Sequence, residues 1–208
     1  SWWSPQPVVT ISRRTAPSRL APTDPGFVPL NRQPVQFADW TPASAAPHDE
    51  TVEVYSNCES VELFLNGQSL GAKSLNADAS PRVWKVAYAP GVLRAVAQNH
   101  GTVAATTELR TAGAPARLVV STTRTKLAPT FEDVAQVTAL VVDASGTVVP
   151  SASDRVSFAV TGPGAVVAVD SGDNASHEPF QATGRRAFHG RCVAFVRATA
   201  ASGAITLT

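Results

Sequence analysis

The densest cluster of groups able to do chemistry in this 208-residue chain is Asp170-Ser171-Gly172-Asp173-Asn174-Ala175-Ser176-His177-Glu178. Asp170, Asp173 and Glu178 offer the hard oxygens that calcium takes. Their spacing does not fit the twelve-residue calcium loop, which wants acids at its first, third and fifth positions and a closing Glu. His177 beside Glu178 does not open a His-Glu-x-x-His zinc motif, because residue 181 is Gln. Polar clusters of this kind commonly satisfy their own backbone through Asx turns, here with a His177–Glu178 hydrogen bond. That reading is preferred to the metal site, and contact with other domains is a third role for the loop.

The carboxylates are the next candidates. A pair acting as nucleophile and acid/base has to stand about 5–5.5 Å apart. The glutamates are Glu50, Glu53, Glu59, Glu62, Glu108, Glu132 and Glu178, and most fall on the polar phase of strands or in loops. His48, His100 and His189 have no Ser or Cys nucleophile in a recognisable arrangement. Gly162-Pro163-Gly164 and Gly184-Arg185-Arg186 read as turns, not phosphate loops, since no helix follows them. No residue is assigned a catalytic, cofactor-binding or metal-binding role, and no cofactor is implied.

Composition narrows the classes further. An apolar fraction of 44% is enough for real cores, and 16% charged residues is too few for a charge-rich disordered chain. A formal net charge of +1 gives no reason to expect nucleic acid or an anionic membrane as partner. The basic pairs Arg13-Arg14 and Arg185-Arg186 are too short for a nucleic-acid patch. No apolar run approaches the ~20 residues that span a bilayer. Methionine is absent even at position 1, so Ser1 reads as a cut or processed end. Cys58 and Cys192 read as two separate, partly buried thiols in different domains.

These groups must be positioned by strands. Val52 and Val54 alternate with Glu53 and Tyr55, and Val61, Leu63 and Leu65 alternate with Glu62 and Phe64. Asn66-Gly67 then supplies a two-residue turn suited to positive φ. Trp84, Val86 and Tyr88 share one face of the next strand. Ala89-Pro90-Gly91 and Asn99-His100-Gly101 turn the chain around Val92–Ala97, and residues 102–111 form a last strand. No stretch keeps a 3.6-residue apolar period, so residues 51–112 read as a small antiparallel sandwich.

Residues 113–208 read as a second one. Ala116–Ser121, the long Val134–Val142, the alternating Val156, Phe158 and Val160, then Ala165–Val169, Cys192–Ala198 and Ala204–Leu207 supply its strands. Asp143-Ala144-Ser145-Gly146-Thr147 is a turn cluster. Residues 12–50 carry Pro17, Pro22, Pro25, Pro29, Pro34, Pro42 and Pro47, which bars a helix or central strand. They read as a semi-rigid extended connector. Its Phe27, Leu30, Val35, Phe37 and Trp40 imply that it lies against a domain surface.

The phrase from Val52 to Gly71 closely resembles a β-sandwich domain near the C-terminus of bacterial family 2 glycoside hydrolases, the β-galactosidase group. The resemblance continues through Thr111-Ala112-Gly113-Ala114-Pro115-Ala116, Val142-Asp143-Ala144, and Gly172-Asp173 with His177-Glu178-Pro179-Phe180. It covers most of the chain in separate phrases. Residues 1–11, with Trp2-Trp3 and then Pro7-Val8-Val9, resemble the family's exit from its catalytic barrel. The resemblance implies that the chemistry lies in that barrel, on two glutamates, one of which follows an asparagine. This chain has no Asn-Glu dipeptide, so no catalytic residue carries over.

The fold class expected is all-β, with two consecutive immunoglobulin-like sandwiches after a Pro-rich connector. The role the resemblance implies is a non-catalytic C-terminal region of a retaining glycosidase, with the catalytic barrel as its partner. Val8, Val9 and Ile11 have no obvious partner in either sandwich and are expected to pack on the barrel or its junction. Two rival readings remain. A carbohydrate-binding module would expose Trp84, Tyr88, Trp40 or Phe180, and Trp2 and Trp3 could serve as a sugar platform. A stalk or adhesion protein would repeat its units, and the two halves share no evident repeat.

Overall fold

The alternation of apolar and polar residues builds strands throughout, and no helix occurs among the described residues. The computed structural model describes residues 5–15, 35–130 and 132–208. The readings placed on Trp2, Trp3, Phe27, Leu30 and the prolines from Pro17 to Pro34 fall outside them. The chain divides into two units, Ser1–Thr111 and Ala112–Thr208.

The first unit contains β1 (Val9–Thr15), β2 (Val35–Phe37), β3 (Asp49–Ser56), β4 (Ser60–Leu65), β5 (Gln68–Ser74), β6 (Arg82–Ala87), β7 (Val92–Asn99) and β8 (Thr102–Arg110). They form two four-stranded antiparallel sheets, ordered β2-β1-β3-β6 and β5-β4-β7-β8. Both predicted hairpins have the turn their residues demand. Asn66 and Gly67 take φ of 51° and 83°, and His100 and Gly101 take 51° and 75°. Positive φ at both central residues matches the right-handed strand twist. The inward phases meet between the sheets: Val52 and Val54 from β3, Val61 and Leu63 from β4, and Trp84 and Val86 from β6.

Two features of this unit differ from the sequence reading. Val9 and Ile11 do have a partner in the sandwich. β1 pairs with β3 in the register Ile11↔Val54, and both apolar side chains join the first core. The boundary drawn after residue 11 thus falls inside β1. The ban on a central strand also fails for residues 12–15, because the first proline of the connector is Pro17 and every N–H before it is free to pair. Trp40 goes beyond a surface contact. It is fully buried, its Nε1 donates to the Ala89 carbonyl at 3.0 Å, and its own carbonyl accepts from Thr111 Oγ1 at 2.8 Å.

The second unit contains β9 (Arg117–Thr122), β10 (Val134–Val142), β11 (Arg155–Ser157), β12 (Val160–Thr161), β13 (Gly164–Asp170), β14 (Gly184–Arg186), β15 (Arg191–Ala198) and β16 (Thr206–Leu207). One sheet is ordered β13-β15-β10-β9, and the short pairs β11-β14 and β12-β16 complete the set. Its core joins Ala139 and Val141 of β10 to Val156, Phe158, Val169 and Ala194. Gly184-Arg185-Arg186 is a strand paired to β11, not a turn. A Cβ at Gly184 would stand 2.9 Å from the Val156 carbonyl, so glycine permits this close pairing. The Asp143–Thr147 turn is held by one carboxylate. Asp143 Oδ2 accepts from Gly113 N, and Oδ1 accepts from Ser145 N, Ser145 Oγ and Thr147 N, all within 2.7–2.9 Å.

Candidate functional site

The Asp170–Glu178 loop is organised around a buried arginine. Asp170 Oδ1 accepts from Ser171 N at 2.6 Å and from Gly172 N at 3.1 Å, and Asp173 Oδ1 accepts from Ala175 N at 2.9 Å. These are the Asx turns expected of such a sequence. The expected His177–Glu178 bond gives way to other partners. Glu178 Oε1 accepts from Arg155 Nη1 at 2.8 Å and Oε2 from the Arg186 N–H at 3.1 Å. Arg185 is fully buried beneath the loop and donates Nη1 to the Glu178 carbonyl at 2.8 Å. Its guanidinium lies 4.6 Å from the Phe180 ring centroid. A cation under the loop disfavours a second one among its acids. Among the described residues no three His, Cys, Asp or Glu groups come together as a metal site.

The glutamates do not converge. Glu50 and Glu53 are an odd number of residues apart on β3 and project to opposite faces. Glu50 contacts Arg13 and His48, whereas Glu53 pairs with Arg14 at 3.1 Å and accepts from Gln36 and Tyr55. Glu59 faces His100, Glu62 accepts from Ser69, and Glu108 faces Arg94 and Arg110. Glu132 is exposed.

Of the aromatic residues named for sugar contact, Trp40 and Trp84 are core. Tyr88 is half-buried and packs 5.3 Å from Trp40. Phe180 is 58% exposed, with one side taken by Arg185. Both cysteines are free and buried, one in each unit, and burial pushes the Cys192 thiol above its usual range.

The second unit also holds a groove of about 740 Å³. Ala135 and Val137 of β10, Val196 of β15 and Ile205 form its apolar wall, and Arg124 and Lys126 bring the charge. The volume lies in the range of small-molecule sites, ~300–1,000 Å³. Its lining contains neither a carboxylate nor an aromatic ring among the described residues. It offers no acid/base pair and no stacking surface for a sugar.

Sequence reasoning missed the arginines. Arg82 is 2% exposed and donates to the carbonyls of Lys73, Ser74, Ser56 and Cys58 at 2.6–3.2 Å. Its phase, shared with Trp84 and Val86, was a readable signal. Arg185 gave none, because a Gly-Arg-Arg triplet reads as a turn. The Arg13, Asp39, Glu50 and His48 group also went unread, since its members come from β1, β3 and the connector between β2 and β3.

Comparison with known proteins places this geometry in a family context. Residues 118–208 match the model of glycoside hydrolase family 2 C-terminal domain 5, and residues 49–105 match a domain of unknown function, DUF4982. The β-galactosidase BoGH2A of Bacteroides ovatus is 35% identical over 154 residues, which are 74% of this chain and 18% of that protein. A family 2 glycosyl hydrolase structure from Bacteroides cellulosilyticus superposes with a TM-score of 0.85 at 35% identity, over 99% of this chain and 27% of that one. A β-glycosidase structure from Bacteroides vulgatus gives 0.82 at 27% identity, over 100% and 24%. The chain therefore spans about a quarter or less of the length of these relatives.

Proposed function

We propose that this chain, which carries the C-terminal β-sandwich domains of the family 2 glycoside hydrolases, acts as a non-catalytic accessory region of a retaining enzyme of the β-galactosidase type. In that enzyme a barrel domain hydrolyses terminal β-galactosides or related sugars. The sandwiches brace the barrel and shape the rim of its cleft or the contacts between subunits. The similarity of nearly the whole chain to family 2 enzymes carries the reading. The scattered glutamates, six of the seven engaged by a named partner, and the groove, whose described lining holds no carboxylate, support it, since a retaining site needs two carboxylates about 5–5.5 Å apart.

A chimera tests the bracing role. The region of the Bacteroides ovatus β-galactosidase that matches this chain is deleted in one variant and replaced by this chain in another. Both are assayed for β-galactoside hydrolysis and thermal unfolding. Deletion is expected to lower the Tm and the activity, and replacement to restore much of both. A deletion that leaves both unchanged removes the bracing role. Phe180 carries the alternative of a carbohydrate contact, because it is an exposed ring. Titration of the chain with galactosides decides this. Saturable binding that Phe180→Ala abolishes would turn the reading to a carbohydrate-binding module.

A further inference from the structure

We propose that His48 is a proton-operated latch that fastens residues 42–47 onto the first sandwich, closed when its ring is doubly protonated and loosened when it is neutral.

His48 Nδ1 lies 2.7 Å from the Ala46 carbonyl oxygen, and Nε2 lies 2.8 Å from Glu50 Oε1. A carbonyl can only accept. Oε1 also receives Arg13 Nη1 at 3.4 Å, so it too is in use as an acceptor. A neutral imidazole has one donor nitrogen and one lone pair. In this geometry it must aim that lone pair at an oxygen, whichever tautomer it adopts. The imidazolium, with two donors, satisfies both oxygens at once.

Charge points the same way. Glu50 from β3 favours the imidazolium, Arg13 from β1 and burial oppose it and are outweighed, and Tyr88 beyond β6 stacks on the ring at 5.4 Å. Arg13 bridges Asp39 at 3.0 Å and Glu50 at 3.4 Å, so one guanidinium serves two carboxylates. A protonated His48 supplies the second positive charge. Glu50 is buried, with 8% of its side chain exposed, whereas His48 keeps 32% and can exchange its proton with solvent. The Ala46 carbonyl, and then the Glu50 carboxylate, raise the His48 pKa above its usual value.

The sign follows by linkage. A histidine whose folded value is raised stabilises the closed segment fully below its unfolded value near 6.5, and loses that contribution as pH rises through the folded value. Opening is expected to be local. Trp40 stays anchored by its own bonds to Ala89 and Thr111, and the His48 carbonyl accepts from Tyr88 N at 2.9 Å, while residues 43–47 between them are exposed.

Two measurements on the intact chain test the latch. Proton NMR titration of the four histidines should place His48 above the usual histidine range. Amide exchange between pH 5.5 and 8.5, corrected for intrinsic rates, should show protection at Ala46, whose N–H is bonded to Ser44 Oγ, falling severalfold through the same midpoint. His48→Gln, which offers one donor group, should remove this pH dependence while leaving β7 and β10 amides protected. The latch is overturned if His48 titrates at or below the usual value. It is also overturned if protection of the Ala46 amide is flat with pH, or if the Gln variant keeps the wild-type profile.

Discussion

At the scale of the residue, single polar side chains close gaps that hydrophobic patterning leaves open. Asp143 is the clearest. The Gly113 N–H first, then the Ser145 hydroxyl and the Thr147 and Ser145 N–H groups, draw its pKa down to about 2. Its folded value is depressed, so the stability it contributes is present above the usual carboxylate pKa and is lost as pH falls toward 2. Asp143→Asn should lower the denaturant midpoint at pH 7, and should flatten the acid loss of stability between pH 4 and 2. Unfolding curves at those three pH values check it. Arg82 works on backbone carbonyls instead. Arg82→Met strands at least four of them, at roughly 1–3 kcal/mol for each left unsatisfied. A loss of about 3 kcal/mol or more in denaturant unfolding is expected. Arg82→Lys should recover only part, because an ammonium lacks the planar fork. These roles were only partly legible in the sequence. The Asp143 turn was readable from its Asp-Ala-Ser-Gly-Thr composition. Arg185 was not, because burial of an arginine depends on which distant carbonyls the fold brings to it.

At the scale of the element, legibility followed local chemistry. Asn66-Gly67 and Asn99-His100-Gly101 have the conformational preference that fixes a hairpin, so they could be read without knowing the fold. β10 runs over the predicted Val134–Val142, since nine alternating residues leave little choice. β1 is not legible from its own residues, because its partner β3 lies more than thirty residues on, beyond any local pattern. β14 is three residues long and exists through pairing with β11 alone. The same reasoning picks out Gly91. Its φ is 136°, and a Cβ there would stand 1.8 Å from Asn66 Oδ1. That oxygen accepts from Val92 N at 2.8 Å, and Asn66 Nδ2 donates to the Pro90 carbonyl at 3.0 Å. Gly91→Ala should therefore break the clasp between two turns as well as strain the backbone, costing about 2 kcal/mol or more. Trp84→Ala removes the largest inward residue of β6 and should cost ~3–5 kcal/mol. Denaturant midpoints of the two variants check both. A Trp84→Ala protein that unfolds at the wild-type midpoint would place the ring outside the core.

At the scale of the whole molecule, the question is whether two sandwiches can do chemistry by themselves. Sugar hydrolysis with retention needs one carboxylate as nucleophile and another as acid/base, held about 5–5.5 Å apart in a site shaped for the ring. Here the strands disperse the glutamates, and Asp39 and Glu50, which do meet, are bridged by the Arg13 guanidinium. A period of two sends Glu50 and Glu53 to opposite faces of β3. Glu50 is bound into the Arg13 and His48 network, Glu53 into Arg14, Gln36 and Tyr55, and Glu178 into Arg155 and the Arg186 N–H. The groove of about 740 Å³ has room for a sugar, and among the described residues its lining has no acid to act on one. The purified chain should therefore turn over chromogenic β-galactosides and β-glucuronides no faster than buffer, from acid to neutral pH. Glu178→Gln should leave that background unchanged while loosening the loop through the lost Arg155 contact. Turnover above background that disappears in Glu178→Gln would locate a catalytic carboxylate here, and the accessory role would have to be withdrawn.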